Sequence, residues 1–580
     1  MQKNHIMKQV FFLLLVLYCT ESKAQKVVKL PYAIEDARMD TYLRNRPPAT
    51  LTIKINNAPD SIKEINIECT FVSFGANFQQ KKYYTANKNG FLKIILGQNL
   101  PYQQIWLKVG DYLYAGVYVN TGLVVTIDAR KIQKDGVMFA GKGVEYSGAD
   151  GTLNRVMNER VLFKRQECSQ LLNALMSLPA HQFSEAVSLY KTDSIEKCLN
   201  QIDDEFISQF PGYAWAIRNE TASDIYQWIN VHYMGKIMPA ALFARVNQHK
   251  PFFTSNAGVQ FYRTLSMYAI SKKNNPSKDF DETILNKRYE TYDTERKALI
   301  DSINDYLAKP VKGTNDSLFL MHLYKKRRNL FPEETEAFYT AYDCKLIDSI
   351  YDEPKSDILK LFLLERGKNS FEQSYPLVLN DTKTLWCRRL VSKELEEATA
   401  KQKNINALLA SSSAINDTAY FIGSPLKKLP FGASLYQLDS IKNTDTFIKN
   451  LQLKFRNKAL IIDFWATWCA PCLSDLPYSK KLHEANKDLP VEYVYICTNS
   501  ASNVGLWEKT IAGIRLPGTH IFMDEKIVEA LKSSFNNAGS GFPTYVVIDR
   551  HGNFRPKVIE RMQFVNQANL KQISGSDENQ

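Results

Sequence analysis

The sequence predicts a multidomain protein with an N-terminal β-sandwich-like domain, a central all-α domain and a C-terminal α/β domain. The chain has 580 residues, 44% of them hydrophobic, so it exceeds one ordinary domain and can bury several cores. Alternating apolar residues characterise the first part of the chain, and apolar residues at intervals of three and four characterise the middle. In the last quarter an apolar run leads directly into a helical pattern, as expected for a buried strand of an α/β sheet.

Residues 1–24 have the pattern of a cleavable signal peptide. Lys3 and Lys8 precede a short apolar run at 10–18, and small residues suit cleavage after Ala24. The run is too short for a comfortable transmembrane helix, and no later segment approaches ~18 unbroken apolar residues. We therefore expect an exported, periplasmic protein.

Cys19 offers an alternative, which is anchoring as a lipoprotein. The bulky Tyr18 precedes it at a position where a small residue is usual. The cleavable signal is therefore the preferred interpretation.

Residues 26–140 form the predicted β-rich domain. Short alternating segments are separated by turn-forming stretches such as NAPD at 57–60 and NKNG at 87–90. This pattern is typical of a β-sandwich or a related antiparallel domain. The expected strands include LTIKI at 51–55, INIEC at 65–69, FLKIIL at 91–96, IWLKV at 105–109 and LVVTI at 123–127.

Residues 145–405 form the predicted all-α domain. Apolar residues recur at helical spacing, and prolines such as Pro211, Pro251 and Pro354 interrupt the pattern. We find no repeat period and no catalytic group of residues in this segment. A helical bundle or a stack of helices is the expected architecture.

The formal net charge is +12 and the sequence pI is about 9.0. A basic chain can bind nucleic acid, but this one has no nucleic-acid motif and no sustained block of Lys and Arg. We therefore predict no nucleic-acid partner. A basic patch that meets an anionic surface or substrate is one reading, and a diffuse positive surface is the preferred one.

The most informative segment is WCAPC at 468–472, which follows the apolar run ALIIDFW at 459–465. If Cys469 caps the following helix, the free N–H groups of the first turn point at its sulfur. Pro471 has no N–H, so the amide of Cys472 is the expected donor. The helix dipole and this amide favour a thiolate, so we expect a lowered pKa for Cys469. Cys472 is then the resolving thiol, which places both residues in the catalytic set.

Two other readings of a CxxC pair are a zinc site and an inert structural disulfide. A zinc site needs further ligands, and the sequence has no second CxxC or Cys/His pair at ligand spacing. The position between a strand and a helix favours redox chemistry over a structural bond. No metal is therefore predicted, and exchange between thiols and disulfides implies no cofactor such as a nucleotide or a flavin.

The segment DFWATWCAPC at 463–472 resembles the active-site strand and loop of the thioredoxin superfamily. Its flanking residues are most similar to the extracytoplasmic thiol–disulfide reductases of the TlpA/ResA type. Downstream, GFPTYVVID at 541–549 resembles the cis-proline loop and the following strand of that family. The similarity covers roughly residues 418–575 and implies a thioredoxin-like fold for this domain.

The resemblance extends to individual acidic residues. Asp463 matches the buried acid beneath the thioredoxin disulfide, and in an apolar strand its pKa should be raised, which suits proton transfer with Cys472. An ordinary buried, hydrogen-bonded Asp is the alternative. Asp475 matches a Glu of the TlpA/ResA group, but it is shorter, and an exposed first-turn carboxylate is an equal alternative.

The resemblance also implies a substrate-binding surface. Pro543 would be cis, which leaves the backbone groups of Phe542 free to pair with an extended substrate. An ordinary trans-proline at a strand boundary is the alternative. Trp468 is expected on the surface beside Cys469. We assign Trp468, Pro471, Phe542 and Pro543 to substrate binding.

The sequence contains nine cysteines, eight of which follow the predicted signal peptide. Export permits disulfides, but the cysteines outside the CxxC show no framework spacing. We expect most of them to be small buried hydrophobic residues. Cys497 lies in a predicted core strand, where burial suppresses reactivity; a third redox thiol is the alternative.

These observations predict an extracytoplasmic thiol–disulfide oxidoreductase, and the resemblance favours the reduction of disulfide-containing protein substrates. A membrane-embedded thiol relay would be the electron donor. One alternative is a thiol peroxidase of related fold, which needs a Thr where Ala466 stands. Another is a binding protein with a vestigial thioredoxin module; the intact Cys469, Cys472, Asp463 and Pro543 speak against it. The sequence does not define the oligomeric state.

Overall fold

The computed structural model describes residues 32–60, 64–87, 90–110, 112–131, 141–167, 191–272, 279–309, 314–416 and 419–575. The predicted signal peptide at 1–24 lies outside these residues, as do Cys19 and Cys168. The chain divides into two compact units, residues 1–395 and 396–580. A search of the described ranges finds no helix with the length and apolar character needed to span a membrane.

In the described part of the first unit, a short helix, α1 (Met39–Asn45), precedes eight strands. The strands are β1 (Thr50–Asn56), β2 (Glu64–Val72), β3 (Gln79–Asn87), β4 (Phe91–Ile95), β5 (Gln103–Val109), β6 (Leu113–Val119), β7 (Gly122–Asp128) and β8 (Val144–Ser147). They form two four-stranded sheets with the orders β4-β1-β7-β8 and β3-β2-β5-β6. Alternate residues such as Leu51, Ile53 and Ile55 are fully buried and join one core shared by both sheets.

The strand directions differ from the predicted antiparallel domain at one pair, since β1 and β7 run parallel. Five strands lie between them in sequence, which gives the chain enough length to return to the same end of the sheet. Strand β3 was not predicted from the sequence. It is polar and lies at a sheet edge, and Ala86 is its one buried residue, so it lacks the alternating apolar signal.

Helices make up the rest of the described residues of the first unit, and the last of these helices continues into the second unit. Their apolar faces form separate clusters, one around Phe253 and another around Phe280 and Phe331. The helices are α2 (Gly151–Glu167), α3 (Lys191–Gln209), α4 (Ala214–His232), α5 (Ala240–Gln248), α6 (Asn256–Ile270), α7 (Thr294–Ala308), α8 (Thr314–Leu330), α9 (Pro332–Asp348), α10 (Lys355–Lys360), α11 (Leu363–Arg366), α12 (Phe371–Asp381) and α13 (Leu385–Ala410). Short helical turns lie at Pro211–Tyr213, Asp281–Leu285, Asn286–Thr291 and Gly367–Ser370.

The second unit is an α/β domain built on one seven-stranded sheet, as predicted for the C-terminal part of the chain. Its strands are β9 (Ser424–Leu429), β10 (Ala433–Leu438), β11 (Ala459–Trp465), β12 (Val491–Thr498), β13 (Gly518–Met523), β14 (Thr544–Ile548) and β15 (Phe554–Arg555). Its helices are α14 (Thr444–Lys454), α15 (Ala470–Ala485), α16 (Val504–Ile514), α17 (Glu525–Ser534) and α18 (Gln567–Ser574), with a 3₁₀ turn at Met562–Phe564.

The order of this sheet is β15-β14-β11-β12-β13-β10-β9. The four strands β10 to β13 are parallel, and β9, β14 and β15 run antiparallel to their neighbours. All seven residues of β11 are buried, because a separate core covers each face of the sheet. Ile461 and Trp465 point into one core, and Ile462 and Phe464 point into the other.

Local sequence explains where two elements of the second unit end and begin. Strand β15 ends at Arg555, because Pro556 has no N–H for the ladder and Lys557 adopts a positive φ of 55°. Helix α16 begins after Asn503, an N-cap residue whose side chain accepts from the Leu506 amide.

Candidate active site

Residues 466–469 connect the end of strand β11 to the N-terminus of α15, and the two cysteines lie at this helix start. Cys469 is the N-cap residue, and its Sγ accepts a 3.2 Å hydrogen bond from the backbone N–H of Cys472. Pro471 is the second residue of the helix and has no amide to donate. The amide that reaches the sulfur is therefore the one that the sequence indicated.

Cys469 and Cys472 are joined by a disulfide. The exposed fraction is 4% for Cys469 and 1% for Cys472, so both cysteines are buried in the disulfide form. Both residues pack in the same core cluster as Trp465 and Leu476, which shield them from solvent.

Asp463 lies in the middle of β11, on the face that also carries Ile461 and Trp465 and looks toward α15. It is 2% exposed. Burial, followed by the charge of Asp475, raises the pKa of Asp463 well above its usual value. Among the described residues, its Oδ1 has no hydrogen-bond partner.

Asp475 occupies the first turns of α15, and the structure decides between its two readings. It is buried, not an exposed first-turn carboxylate. Its carboxylate accepts from the Tyr545 hydroxyl at 2.5 Å, the Met562 amide at 2.9 Å and the Gln563 amide at 3.2 Å. These bonds tie α15 to β14 and to the turn that precedes α18.

Two tyrosines that the sequence analysis missed flank Asp463 in the sheet. Tyr495 of β12 and Tyr545 of β14 lie opposite Asp463 in the two strand pairings. Tyr495 shares a 2.7 Å hydrogen bond with Ser479 of α15. Burial and the charges of Asp463 and Asp475 raise the pKa of Tyr545. The sequence could have indicated both residues, because a tyrosine inside an apolar strand has a buried hydroxyl that needs a hydrogen-bond partner.

A second loop, at 540–543, lies beside the pair. The Phe542–Pro543 peptide bond is cis. The ring of Trp468 meets the ring of Phe542 edge to face, with the centroids 6.0 Å apart. Trp468 is 53% exposed, and its Nε1 donates a 2.7 Å hydrogen bond to the Ser500 carbonyl. An exposed aromatic residue held in this way offers a contact surface directly before Cys469.

Cys497 lies fully buried in β12, and burial raises the pKa of its thiol. Cys69, Cys344 and Cys387 are also free and buried. In the part of the chain that the structure describes, no group of three or more His, Cys, Asp or Glu side chains could hold a metal ion.

The fold and the site together define a thioredoxin-fold protein whose CxxC disulfide caps a helix beside a cis-proline loop. Through its second unit, the chain belongs to the thioredoxin superfamily. A family model described as Redoxin matches residues 439–572. A thioredoxin from Coprinus comatus is 31% identical over 91 residues, which cover 16% of this chain and 80% of that protein.

Other relatives carry the name thiol-disulfide oxidoreductase ResA. The protein from Bacillus thuringiensis (strain Al Hakam) is 28% identical over 137 residues, which cover 23% of this chain and 69% of that protein. The prediction that this domain is similar to the TlpA/ResA type is thereby confirmed.

Solved structures of similar domains include the thioredoxin domain of a thiol-disulfide oxidoreductase from Bacteroides vulgatus. It has 20% identity and a TM-score of 0.18, and the similarity covers 22% of this chain and 84% of that one. A thioredoxin family protein from Chlorobium tepidum has 21% identity and a TM-score of 0.20, with 21% and 85% covered.

Proposed function

We propose that this protein is an extracytoplasmic thiol–disulfide oxidoreductase that reduces disulfide-containing protein substrates. The observation that carries the proposal is the Cys469–Cys472 disulfide at the start of α15, where the Cys472 amide donates to the Cys469 sulfur. The relatives named thiol-disulfide oxidoreductase support the same chemistry.

The reaction transfers two electrons to the substrate in two exchange steps. The Cys469 thiolate attacks one sulfur of a disulfide R–S–S–R′, forms a mixed disulfide with R, and releases R′S⁻. The Cys472 thiolate then attacks the Cys469 sulfur and releases RS⁻. The protein ends with the Cys469–Cys472 disulfide, and the two released thiolates take up protons. The helix N-terminus and the Cys472 amide favour the Cys469 thiolate that starts the sequence.

Asp463 is the proposed acceptor of the proton that Cys472 must lose before it attacks. The residue lies on the sheet face that looks toward α15, and its raised pKa lets it keep a proton where an exposed Asp is ionised. In this assignment, a protonated Asp463 accompanies the disulfide state, and the proton leaves when the pair is reduced again.

The proposed docking surface consists of Trp468, Pro471, Phe542 and Pro543. Trp468 and Pro471 are exposed beside Cys469, and Phe542 and Pro543 are half-buried. Within the described residues, the backbone N–H and C=O of Phe542 have no hydrogen-bond partner. An extended substrate segment can pair with these groups as an added strand does, which places its disulfide next to Cys469.

Sustained reduction requires an external donor of two electrons. We assign this role to a membrane-embedded thiol relay that reduces the Cys469–Cys472 disulfide after each cycle. The signal-peptide pattern of residues 1–24 supports export of the chain. The periplasm is the compartment proposed for the reaction.

Reduction of insulin disulfides by the full chain, with dithiothreitol as the electron donor, tests the proposed function. Substitution of Cys469 by Ser should abolish turnover, because no thiolate can then attack the substrate. Cys472→Ala should stop turnover but trap the substrate as a mixed disulfide on Cys469, visible on a non-reducing gel. Unchanged insulin reduction by the Cys469→Ser protein would contradict the proposal.

The same preparation distinguishes the alternatives. A thiol peroxidase would consume hydrogen peroxide at the expense of dithiothreitol, whereas the reductase should not exceed the uncatalysed rate. A binding protein with a vestigial module would reduce insulin no faster than dithiothreitol alone. A redox titration of the pair in glutathione buffers gives its potential, and a strongly oxidising value would reverse the proposed direction.

A further inference from the structure

Lys532 of α17 is a buried cation that the exchange reaction itself does not use. Its side chain is 1% exposed. Its Nζ donates to Glu529 Oε1 at 2.8 Å and makes a short hydrogen bond to the carbonyl of Ser540. The same ammonium lies 4.8 Å from the centroid of the Phe542 ring. The ammonium of Lys532 therefore contacts its own helix at Glu529 and the loop before Pro543 at Ser540 and Phe542.

A buried ammonium is costly unless its charge and its three N–H groups are compensated. Glu529 lies one turn earlier on the same helix and is 45% exposed, so it neutralises the charge from the solvent side. The Ser540 carbonyl and the face of the Phe542 ring supply the remaining contacts. Charge placed in such a position holds the surrounding groups in a defined geometry.

Lys532 holds the loop through its backbone as well. Its carbonyl accepts a 2.8 Å hydrogen bond from the amide of Asn537. Further along, the Ser540 and Thr544 hydroxyls are 3.0 Å apart, and Thr544 Oγ1 donates to the Gly541 carbonyl at 2.6 Å. The loop is therefore anchored to α17 at one end and closed on itself at the other.

The Phe542 ring has Lys532 as one neighbour and Trp468 as another, at 4.8 Å and 6.0 Å respectively. A chain of contacts thus leads from the buried ammonium, through the ring, to the residue that precedes Cys469. Within this series of contacts, the backbone of Phe542 is the part of the proposed docking surface that pairs with a substrate segment.

We propose that Lys532 is a positioning residue that fixes the 540–543 loop for the binding of protein disulfides. This role rests on the proposed function, since it presupposes that the Phe542 backbone pairs with a substrate segment. Lys532 touches neither the substrate nor the sulfur atoms. It acts on recognition of an extended chain and not on the exchange chemistry at Cys469.

The proposed role of Lys532 predicts that its substitution affects the reduction of large protein disulfides and not that of small ones. Replacement of Lys532 by Met keeps the length of the side chain and removes its charge and hydrogen bonds. The KM for insulin should rise about tenfold with little change in kcat. The rate with the small disulfide 5,5′-dithiobis(2-nitrobenzoate) should stay within about twofold of wild type, because this compound needs no backbone pairing. Lys526→Met, at an exposed position of the same helix, is the matched control and should leave both rates unchanged.

A second variant, Lys532→Arg, keeps the charge but changes the reach and shape of the donor. It should give an intermediate KM for insulin and an unchanged rate with the small disulfide, and it serves as the test if the Met variant does not fold. An unchanged KM in the folded variants, or an equal loss with both substrates, overturns the role of Lys532. Wild-type protein that fails to reduce insulin overturns the proposed function instead.

Discussion

The hydroxyl of Tyr545 donates a 2.5 Å hydrogen bond to Oδ2 of Asp475. Tyr545 also lies directly opposite Asp463 in the pairing of β14 with β11. One side chain thus connects the environments of two buried carboxyl groups. Asp475 has three hydrogen-bond donors, whereas Asp463 lies between apolar strands and has a raised pKa. The two buried acids therefore differ in their surroundings: hydrogen-bond donors surround Asp475, and burial dominates the environment of Asp463.

Asp463→Asn should slow insulin reduction by about 100-fold, which is the lower range for the loss of a general acid–base group. The wild-type pH profile of kcat should show an inflection well above 3.8, the ordinary pKa of Asp, because burial raises the pKa of Asp463. The Asn variant should lack this inflection. Asp488→Asn, an exposed position in the same unit, is the control. An identical pH profile in the Asp463 variant would remove this residue from the proton path.

Asp463→Asn should also increase the free energy of unfolding at neutral pH. Native Asp463 keeps a proton that the unfolded chain releases above pH 3.8, so the unfolding free energy falls as pH rises toward the native pKa. The slope from this one group is about 1.4 kcal/mol per pH unit within that window. Asp463→Asn should remove this slope. Urea unfolding at several pH values measures the difference, and equal slopes for both proteins would contradict the assignment.

Asp475→Ala should lower the unfolding free energy by about 2 to 4 kcal/mol, because three donors lose a buried acceptor. Removal of its charge should also move the pKa of Asp463 toward its ordinary value. Urea unfolding tests the first effect and the pH profile of kcat tests the second. Tyr545→Phe, which removes one donor and keeps the carboxylate, should cost about 1 kcal/mol. A larger loss in the Phe variant than in the Ala variant is incompatible with this picture.

Trp468→Ala should weaken substrate binding without unfolding the protein. The side chain is 53% exposed, and its single hydrogen bond to Ser500 lies at the surface. We expect a KM for insulin that rises about tenfold and a melting temperature within about 2 °C of wild type. Phe91→Ala, at a 72% exposed position of the β-sandwich, is the control and should leave KM unchanged.

Cys497→Ala should leave insulin reduction unchanged, because burial raises the pKa of this thiol and keeps it protonated. Iodoacetamide should not modify Cys497 in the native protein but should modify it after denaturation in urea. Mass spectrometry of tryptic peptides gives the site of alkylation. A loss of turnover in the Ala variant would indicate a third redox thiol.

Local patterns carried the prediction of the active-site helix. Proline at 471 leaves the Cys472 amide as the donor to Cys469, and the observed 3.2 Å hydrogen bond follows from residues three apart. The α/β character of the second unit was also predictable, because a strand that is buried on both faces is a nearly continuous apolar run, interrupted in β11 by Asp463 alone. The sequence did not predict β3, because a polar edge strand lacks a periodic apolar signal.

By itself, the sequence determined the CxxC at a helix start, the acid six residues before it and the membership of the thioredoxin superfamily. The tertiary structure alone decided that Asp475 is buried, because its partner Met562 is 87 residues away. It also showed the ammonium of Lys532 against the ring of Phe542. Such contacts join groups from separate elements, and no local periodicity or spacing encodes them.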